Sequence, residues 1–226
     1  MCGRFTQRLS SSEFAGIFGA RDLAESPGGA FNVSPSQQVT IVHAQDEERV
    51  AERVRWGFVP SWSKEPTGSR SPINARAETV ATSPLFRASF RSHRCIVPAD
   101  GFYEWQRVGE RKQPFYISGA DGRPLAFAGI WSRWVDRSTG LEVVSCAVVT
   151  TTPNELMAPI HDRMPVVLAD GAWQRWLDRA AAPDELQAML RPAERELVAW
   201  PVATLVNNPR SQGPLLVEPV EVPPPG

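Results

Sequence analysis

Between Arg94 and Thr150 the chain reads as one short apolar segment after another, separated by turn residues: 94–98, 101–105, 114–118, 124–131 and 141–150, with Gly119-Ala120-Asp121-Gly122 marking one tight reversal. These segments are rich in Val, Ile, Phe, Tyr and Trp, which suit a pleated surface, and Gly, Pro and Asp bound them. Many short strands with peripheral helices suggest an antiparallel sheet, in an order that the sequence does not give. Val39–His43 and Arg49–Trp56 add a hairpin through the polar turn Gln45-Asp46-Glu47, and 164–168 and 196–202 add two further strands. Helices are expected only at the periphery. Leu9-Ser10-Ser11-Ser12-Glu13 is a capping-box signature that sets Phe14, Ile17 and Phe18 on one face. Further short helices are expected from Asn74 through Ala77-Glu78-Thr79, over 85–90, 170–179 and 183–190. The expected fold is α+β: mostly antiparallel β, a barrel-like sheet with peripheral helices, in a single domain over 1–220 with a Pro-rich tail at 221–226.

Composition supports a buried core, with 42% hydrophobic residues and eight Trp among 226 residues. No segment reaches the ~20 apolar residues of a membrane span, and the first thirty residues are too charged for a signal peptide, so a cytoplasmic protein is expected. Net charge is −1, yet from Arg53 to Lys112 there are eleven Lys and Arg against five Asp and Glu, and from Ala180 onward three against six. A basic middle in a neutral chain fits a localised phosphate-binding face as well as a solvated Arg-rich surface. Cys95 and Cys146 lie in apolar strands and read as buried free thiols. The three Cys and three His show no CxxC or HxxxH spacing, and no Gly-rich phosphate loop is present, so neither metal nor cofactor is expected. A monomer is the default.

The opening Met1-Cys2-Gly3 carries the sharpest chemical possibility. Loss of Met1 would leave an α-amine (reference pKa ~8) and a thiol (~8.5) on one residue. With an aldehyde, such a residue forms an imine through the amine, then closes a five-membered thiazolidine through sulfur. The bland alternative is an ordinary chain start. In Gly101-Phe102-Tyr103-Glu104-Trp105, strand alternation sets Glu104 with Phe102, opposite to Tyr103 and Trp105. A carboxyl among aromatics is partly desolvated, which raises its pKa toward neutrality for proton transfer; a strand Glu paired with an Arg is the structural alternative. His161, in His161-Asp162-Arg163-Met164-Pro165, suits a general acid or base, with Asp162 or a carbonyl setting its tautomer. In Asn74-Ala75-Arg76, the amide suits a sugar or phosphate oxygen and the guanidinium a phosphate, although a helix cap with a surface Arg is the commoner meaning.

With these segments laid out, the chain resembles the SOS-response-associated peptidase family of abasic-site-processing proteins. The resemblance is carried by Met1–Phe5, Phe31–Pro35, Trp56–Pro60, Asn74–Thr79, Cys95–Trp105, Gln113–Tyr116, Ala128–Trp131, His161–Pro165, Val206–Asn208 and Glu218–Val220, in order along nearly the whole length. The Ser63–Ser71 loop is slightly longer than the family pattern. The resemblance implies that Cys2 bonds covalently to the ring-opened abasic sugar in single-stranded DNA as a thiazolidine. It implies Glu104 as acid/base, His161 as the residue assisting ring opening and reversal, and Asn74 as the residue holding the sugar. It makes Arg4, Asn32, Arg76 and Arg163 DNA contacts and Trp62 an aromatic at the DNA groove. It further implies removal of Met1, by the chain itself or an aminopeptidase, lyase-like activity, and a role in the DNA damage response.

Two other classes stay open on the residues alone. N-terminal-nucleophile amidohydrolases, such as glutamine amidotransferases, also begin Met-Cys-Gly, but they resemble one another in an Asn-Gly oxyanion element that this chain lacks. A non-catalytic single-strand binder would use only the Arg and Trp residues. Proteolysis of other proteins has no acyl-transfer constellation beyond Cys2 and His161.

Overall fold

The computed structural model describes residues 2–66 and 71–221. In chain order its elements are β1 (Phe5–Gln7), α1 (Ser11–Phe18), β2 (Arg21–Asp22), β3 (Ala30–Val33), β4 (Gln38–Gln45), β5 (Glu48–Trp56), β6 (Asn74–Arg76), α2 (Arg87–Ser92) and β7 (Arg94–Ala99). There follow β8 (Gly101–Val108), β9 (Arg111–Gly119), β10 (Leu125–Val135), β11 (Glu142–Thr151), β12 (Met164–Pro165), α3 (Ala172–Leu177), α4 (Pro183–Ala188) and β13 (Leu197–Pro201).

Strands β5, β4, β7, β10 and β11 pair in that order, and β11 returns to β5 through a parallel contact at Ser145–Arg55 and Cys146–Trp56. The five therefore close into a barrel, the arrangement that removes exposed sheet edges. Closure sorts each strand's residues by period 2. Val42, Ala51, Ile96, Ala128, Ile130, Ala147 and Val149 meet the helices through Phe14, Phe90, Trp176 and Leu186. A five-stranded barrel is too narrow to admit a helix, so this set faces outward. The opposite set, with Ile41, Val54, Cys95, Val97, Cys146 and Val148, fills the interior. Cys95 and Cys146 are buried free thiols there.

A second antiparallel sheet, ordered β13-β9-β8-β1-β3, packs Phe5, Phe102 and Ile117 onto the same interior cluster. The rings of Phe5 and Trp56 lie 4.7 Å apart, edge to face. One nearly continuous segment joins the two sheets, because β7 runs into β8 through Asp100. Gly101 permits the crossing: a Cβ there would stand 2.5 Å from the Ile117 carbonyl oxygen and the Tyr116 ring. Any side chain would force the two strands apart.

The capping box forms as expected. The Ser10 hydroxyl accepts the Glu13 N–H while Glu13 Oε2 accepts the Ser10 N–H at 2.8 Å, a pairing worth about 1 kcal/mol. One expected helix is absent. Asn74–Arg76 is a strand, paired parallel to β11 at Val148, Val149 and Thr150, and turns follow it. Its carbonyl and amide partners come from a strand some seventy residues away, which no local propensity reports. The strand expected over 164–168 shortens to β12, with an isolated bridge between Val167 and Phe127. The expected loop at 60–72 is described except for residues 67–70, and the Pro-rich tail lies outside the described residues from 222 on.

Candidate active site around Cys2

The site forms where the chain start crosses from the second sheet to the barrel rim. β1 pairs antiparallel with β8 at Phe5–Phe102, and the Tyr103 N–H donates to the Arg4 carbonyl at 2.9 Å. Continuing that register sets Gly3 opposite Glu104 and brings Cys2 alongside. From the barrel side, Trp56 Nε1 donates to the Ile73 carbonyl at 2.9 Å and so fixes the start of β6. The next residue, Asn74, donates through Nδ2 to the Cys2 carbonyl at 2.9 Å. Asn74 Oδ1 is buried and accepts no hydrogen bond from the described residues, which leaves an acceptor beside Cys2 for an incoming hydroxyl or amine.

Cys2 is fully buried. Burial first, and the Glu104 carboxylate second, push its thiol well above the usual range, while the Arg4 backbone N–H acts in the opposite direction. The sulfur is thus held as a neutral thiol. Glu104 is also buried, and desolvation raises its pKa to about 7. The alternation read from the sequence holds: Phe102 points into the barrel cluster, whereas Tyr103 packs with Tyr116 on the other side. A carboxyl half-ionised near neutral pH is equipped both to take and to give a proton.

His161 Nε2 stands 3.8 Å from Glu104 Oε2. Burial lowers the ring's pKa below its usual value, so it is neutral at neutral pH. The Arg163 backbone N–H donates to Nδ1 at 3.0 Å, which assigns the single ring proton to Nε2, on the Glu104 side. Asp162 Oδ1 also lies 2.9 Å from Nδ1. Its side chain is 88% exposed, so water competes for that carboxylate, whereas the Arg163 N–H is held at Nδ1 by the chain itself.

The other residues singled out in the sequence separate into two groups. Trp62 is 67% exposed, and Arg76 is exposed with no ion pair among the described residues. Arg4, Asn32 and Arg163 are already engaged. Arg4 Nη1 donates to Asn32 Oδ1 at 2.7 Å and to the Val206 carbonyl at 2.8 Å, and its guanidinium lies 5.7 Å from the centre of the Trp105 ring. Asn32 is fully buried and its amide donates to the carbonyls of Asn208 and Ser211, so a direct DNA contact from it is not available in this fold. Asn32 holds the C-terminal segment and Arg4 instead. Arg163 forms a two-point pair with Glu78 at 2.6 and 2.9 Å. Sequence reading missed Glu78, and it missed Gln106, whose Nε2 donates to the Pro159 carbonyl at 3.0 Å and steadies the loop before His161. Neither had a local signal, since each acts only through a distant partner. Among the described residues no group of three or more His, Cys, Asp or Glu is placed to share a metal ion, and no helix is long and apolar enough to cross a membrane.

Residues 1–209 match the family described as SOS response associated peptidase (SRAP). The chain belongs to the SRAP family. It is 40% identical over 227 residues to the abasic site processing protein YoqW of Bacillus subtilis, covering 96% of this chain and 99% of that one. It is 34% identical to YedK of Escherichia coli, covering 97% and 100%, and 38% identical to HMCES of Xenopus tropicalis, covering 82% of this chain and 64% of that protein; both carry the same description. A crystal structure of a Bacteroides thetaiotaomicron protein superposes with a TM-score of 0.89 at 26% identity, covering 97% of this chain and all of that one. The mostly antiparallel architecture is thus shared with that protein.

Proposed function

We propose that this protein processes abasic sites in single-stranded DNA by bonding Cys2 covalently to the lesion, after Met1 has been removed by the chain itself or an aminopeptidase. The relatives' shared description points to the lesion. The observation that carries the chemistry is the meeting at one point of Cys2, Asn74 and the Glu104–His161 pair, delivered by four separate parts of the chain.

Hydrolysis of the Met1–Cys2 peptide bond frees the Cys2 amine. An abasic deoxyribose exists mainly as a closed hemiacetal, and opening it needs a proton moved from its hydroxyl to its ring oxygen. Glu104, as a carboxylate, takes the hydroxyl proton and returns it to the ring oxygen, while the neutral His161 hydrogen-bonds that oxygen through Nε2–H and keeps its own proton. The amine then attacks the C1′ aldehyde and a C–N bond forms. Glu104 carries the two amine protons in turn to the former carbonyl oxygen, the first giving the carbinolamine hydroxyl and the second releasing it as water, so an imine remains. The Cys2 thiol adds last: sulfur bonds to the imine carbon, its proton passes to the imine nitrogen, and the five-membered ring closes. A thiol held neutral by burial suits this order, because the amine acts first and sulfur is needed only after the imine has formed.

Asn74 holds the Cys2 carbonyl through Nδ2 and keeps Oδ1 for the sugar hydroxyl. Exposed Trp62 and Arg76 take a base and a phosphate of the strand, with Arg4 acting from beside Trp105. Residues 1–220 act as one unit, as a monomer, without a metal or cofactor. The product shields the lesion in the DNA damage response, and reversal through the same imine gives lyase-like release. Denaturing electrophoresis after mixing the protein with abasic single-stranded DNA tests this directly. A band resistant to denaturant is expected. Its absence, with binding intact, would leave a non-catalytic binder, and glutamine hydrolysis would point to the amidohydrolase class.

A further inference from the structure

We propose that Glu78 is a positioning residue for His161: by clamping Arg163 it fixes the main chain whose N–H selects the imidazole tautomer facing Glu104. The inference relies on the abasic-site reading only for its kinetic test. The Arg163 guanidinium is held at three points, by both oxygens of Glu78 at 2.6 and 2.9 Å and by the Thr150 carbonyl at 2.7 Å. Parallel two-point pairing of this kind fixes angle as well as distance. Its side chain is only 15% exposed, so water competes weakly. Thr150 belongs to β11, which also accepts the Ala77 N–H at 2.8 Å one residue before Glu78. Glu78 and Arg163 are therefore referenced to the same barrel strand.

The consequence appears two residues upstream. With its side chain immobile, Arg163 presents its N–H to His161 Nδ1 at 3.0 Å. Two residues before His161 along the chain, Gln106 holds the Pro159 carbonyl at 3.0 Å. Between these anchors the neutral ring has one arrangement, with Nδ1 accepting and Nε2–H directed toward Glu104. Without the clamp, Arg163 is free to turn its N–H away. Nδ1 could then carry the proton, drawn by Asp162, and a lone pair would face the substrate instead of a donor. The charged groups acting on the ring are the N-terminal amine, Asp162 and Lys112, with Glu104 facing Nε2, and Glu78 reaches it only through Arg163. The same residues invite a different role, in which Glu78 occupies the place of a phosphate and releases Arg163 to DNA.

The test uses full-length Glu78→Ala and Glu78→Gln; Glu78 is half-exposed, and the Gln variant keeps the shape of the pair should the Ala variant fold poorly. Long-range proton–nitrogen correlation spectra of the imidazoles in the DNA-free protein should show His161 as the Nε2–H tautomer in the wild type. The Ala variant should show a mixture of tautomers and the Gln variant less change. Single-turnover adduct formation with abasic single strands should slow by roughly tenfold or more in Glu78→Ala. Affinity for undamaged single strands should stay within about twofold. An unchanged His161 tautomer in folded Glu78→Ala would overturn the proposal, as would clearly tighter binding of undamaged strands at wild-type tautomer, which would make Glu78 a competitor of phosphate. If the wild type forms no adduct at all, the functional reading fails, and the spectra alone decide the role of Glu78.

Discussion

The Asn74 side chain donates to the Cys2 carbonyl at 2.9 Å, joining the barrel rim to the chain start across 72 residues of sequence. This bond sets where the nucleophile sits. Asn74→Ala should lower the rate of adduct formation by about 10²-fold, the cost of a small misplacement of a reacting group. Asn74→Asp should be no better, because a carboxylate cannot donate to a carbonyl. Single-turnover kinetics checks this; wild-type rates in the Asp variant would mean that only the acceptor oxygen matters.

Cys2→Ala should abolish the denaturant-resistant adduct while retaining non-covalent DNA binding, since ring closure needs sulfur and strand binding does not. Cys2→Ser should give at most a hydrolysable imine, detectable only after borohydride trapping. A stable adduct at wild-type level in Cys2→Ala would refute the chemistry.

The amine matters as much as the thiol. A chain kept from losing Met1, by an uncleavable N-terminal extension, should form no thiazolidine although Cys2 is present. Intact-mass measurement of the active protein should show loss of Met1. Full activity from extended chains would remove the N-terminal role.

Glu104 gives two linked pH effects. Its pKa is raised to about 7, so adduct formation should rise as pH passes from 6 to 7, and Glu104→Gln should lose that limb and run ~10²–10⁴-fold slower. Microscopic reversibility requires release to slow as well. For stability, a carboxyl whose folded pKa lies above its unfolded value of ~4.3 costs nothing below pH 4 and destabilises increasingly as pH rises to 7. Glu104→Gln should therefore be more stable than wild type at pH 8, by on the order of 1–3 kcal/mol, with the gain gone at pH 4. Thermal denaturation at both pH values measures it; equal shifts at the two would place the Glu104 pKa near its ordinary value.

Arg76, two residues after Asn74 on β6, is exposed and makes no ion pair among the described residues. Arg76→Ala should weaken single-strand binding and reduce the magnitude of the salt slope by about 0.7, one phosphate contact. Arg163→Ala should change the slope less, because Glu78 already neutralises that guanidinium. Salt titrations of both variants against one oligonucleotide decide between them.

Much of this protein was legible along the chain. The strands from Arg94 to Thr151, the capped helix at Ser11, and the sorting of Phe102 and Glu104 from Tyr103 all follow from period-2 alternation, turn residues and side-chain hydrogen bonding within four residues. These are local effects, so local sequence carries them. Cys2, Glu104 and His161 could be singled out because their chemistry is intrinsic to the residue type. What tertiary structure alone decided depends on distant partners. The parallel contact from β11 to β5 closes the barrel, and the pairing of Asn74–Arg76 with β11 turns a helix-like segment into a strand. Likewise charge was visible in the sequence but its engagement was not: Arg76 remains exposed, Arg163 is claimed by Glu78, and Asn32 is enclosed by the C-terminal segment. A guanidinium's reach is a property of the residue; whether a carboxylate already fills it is a property of the fold.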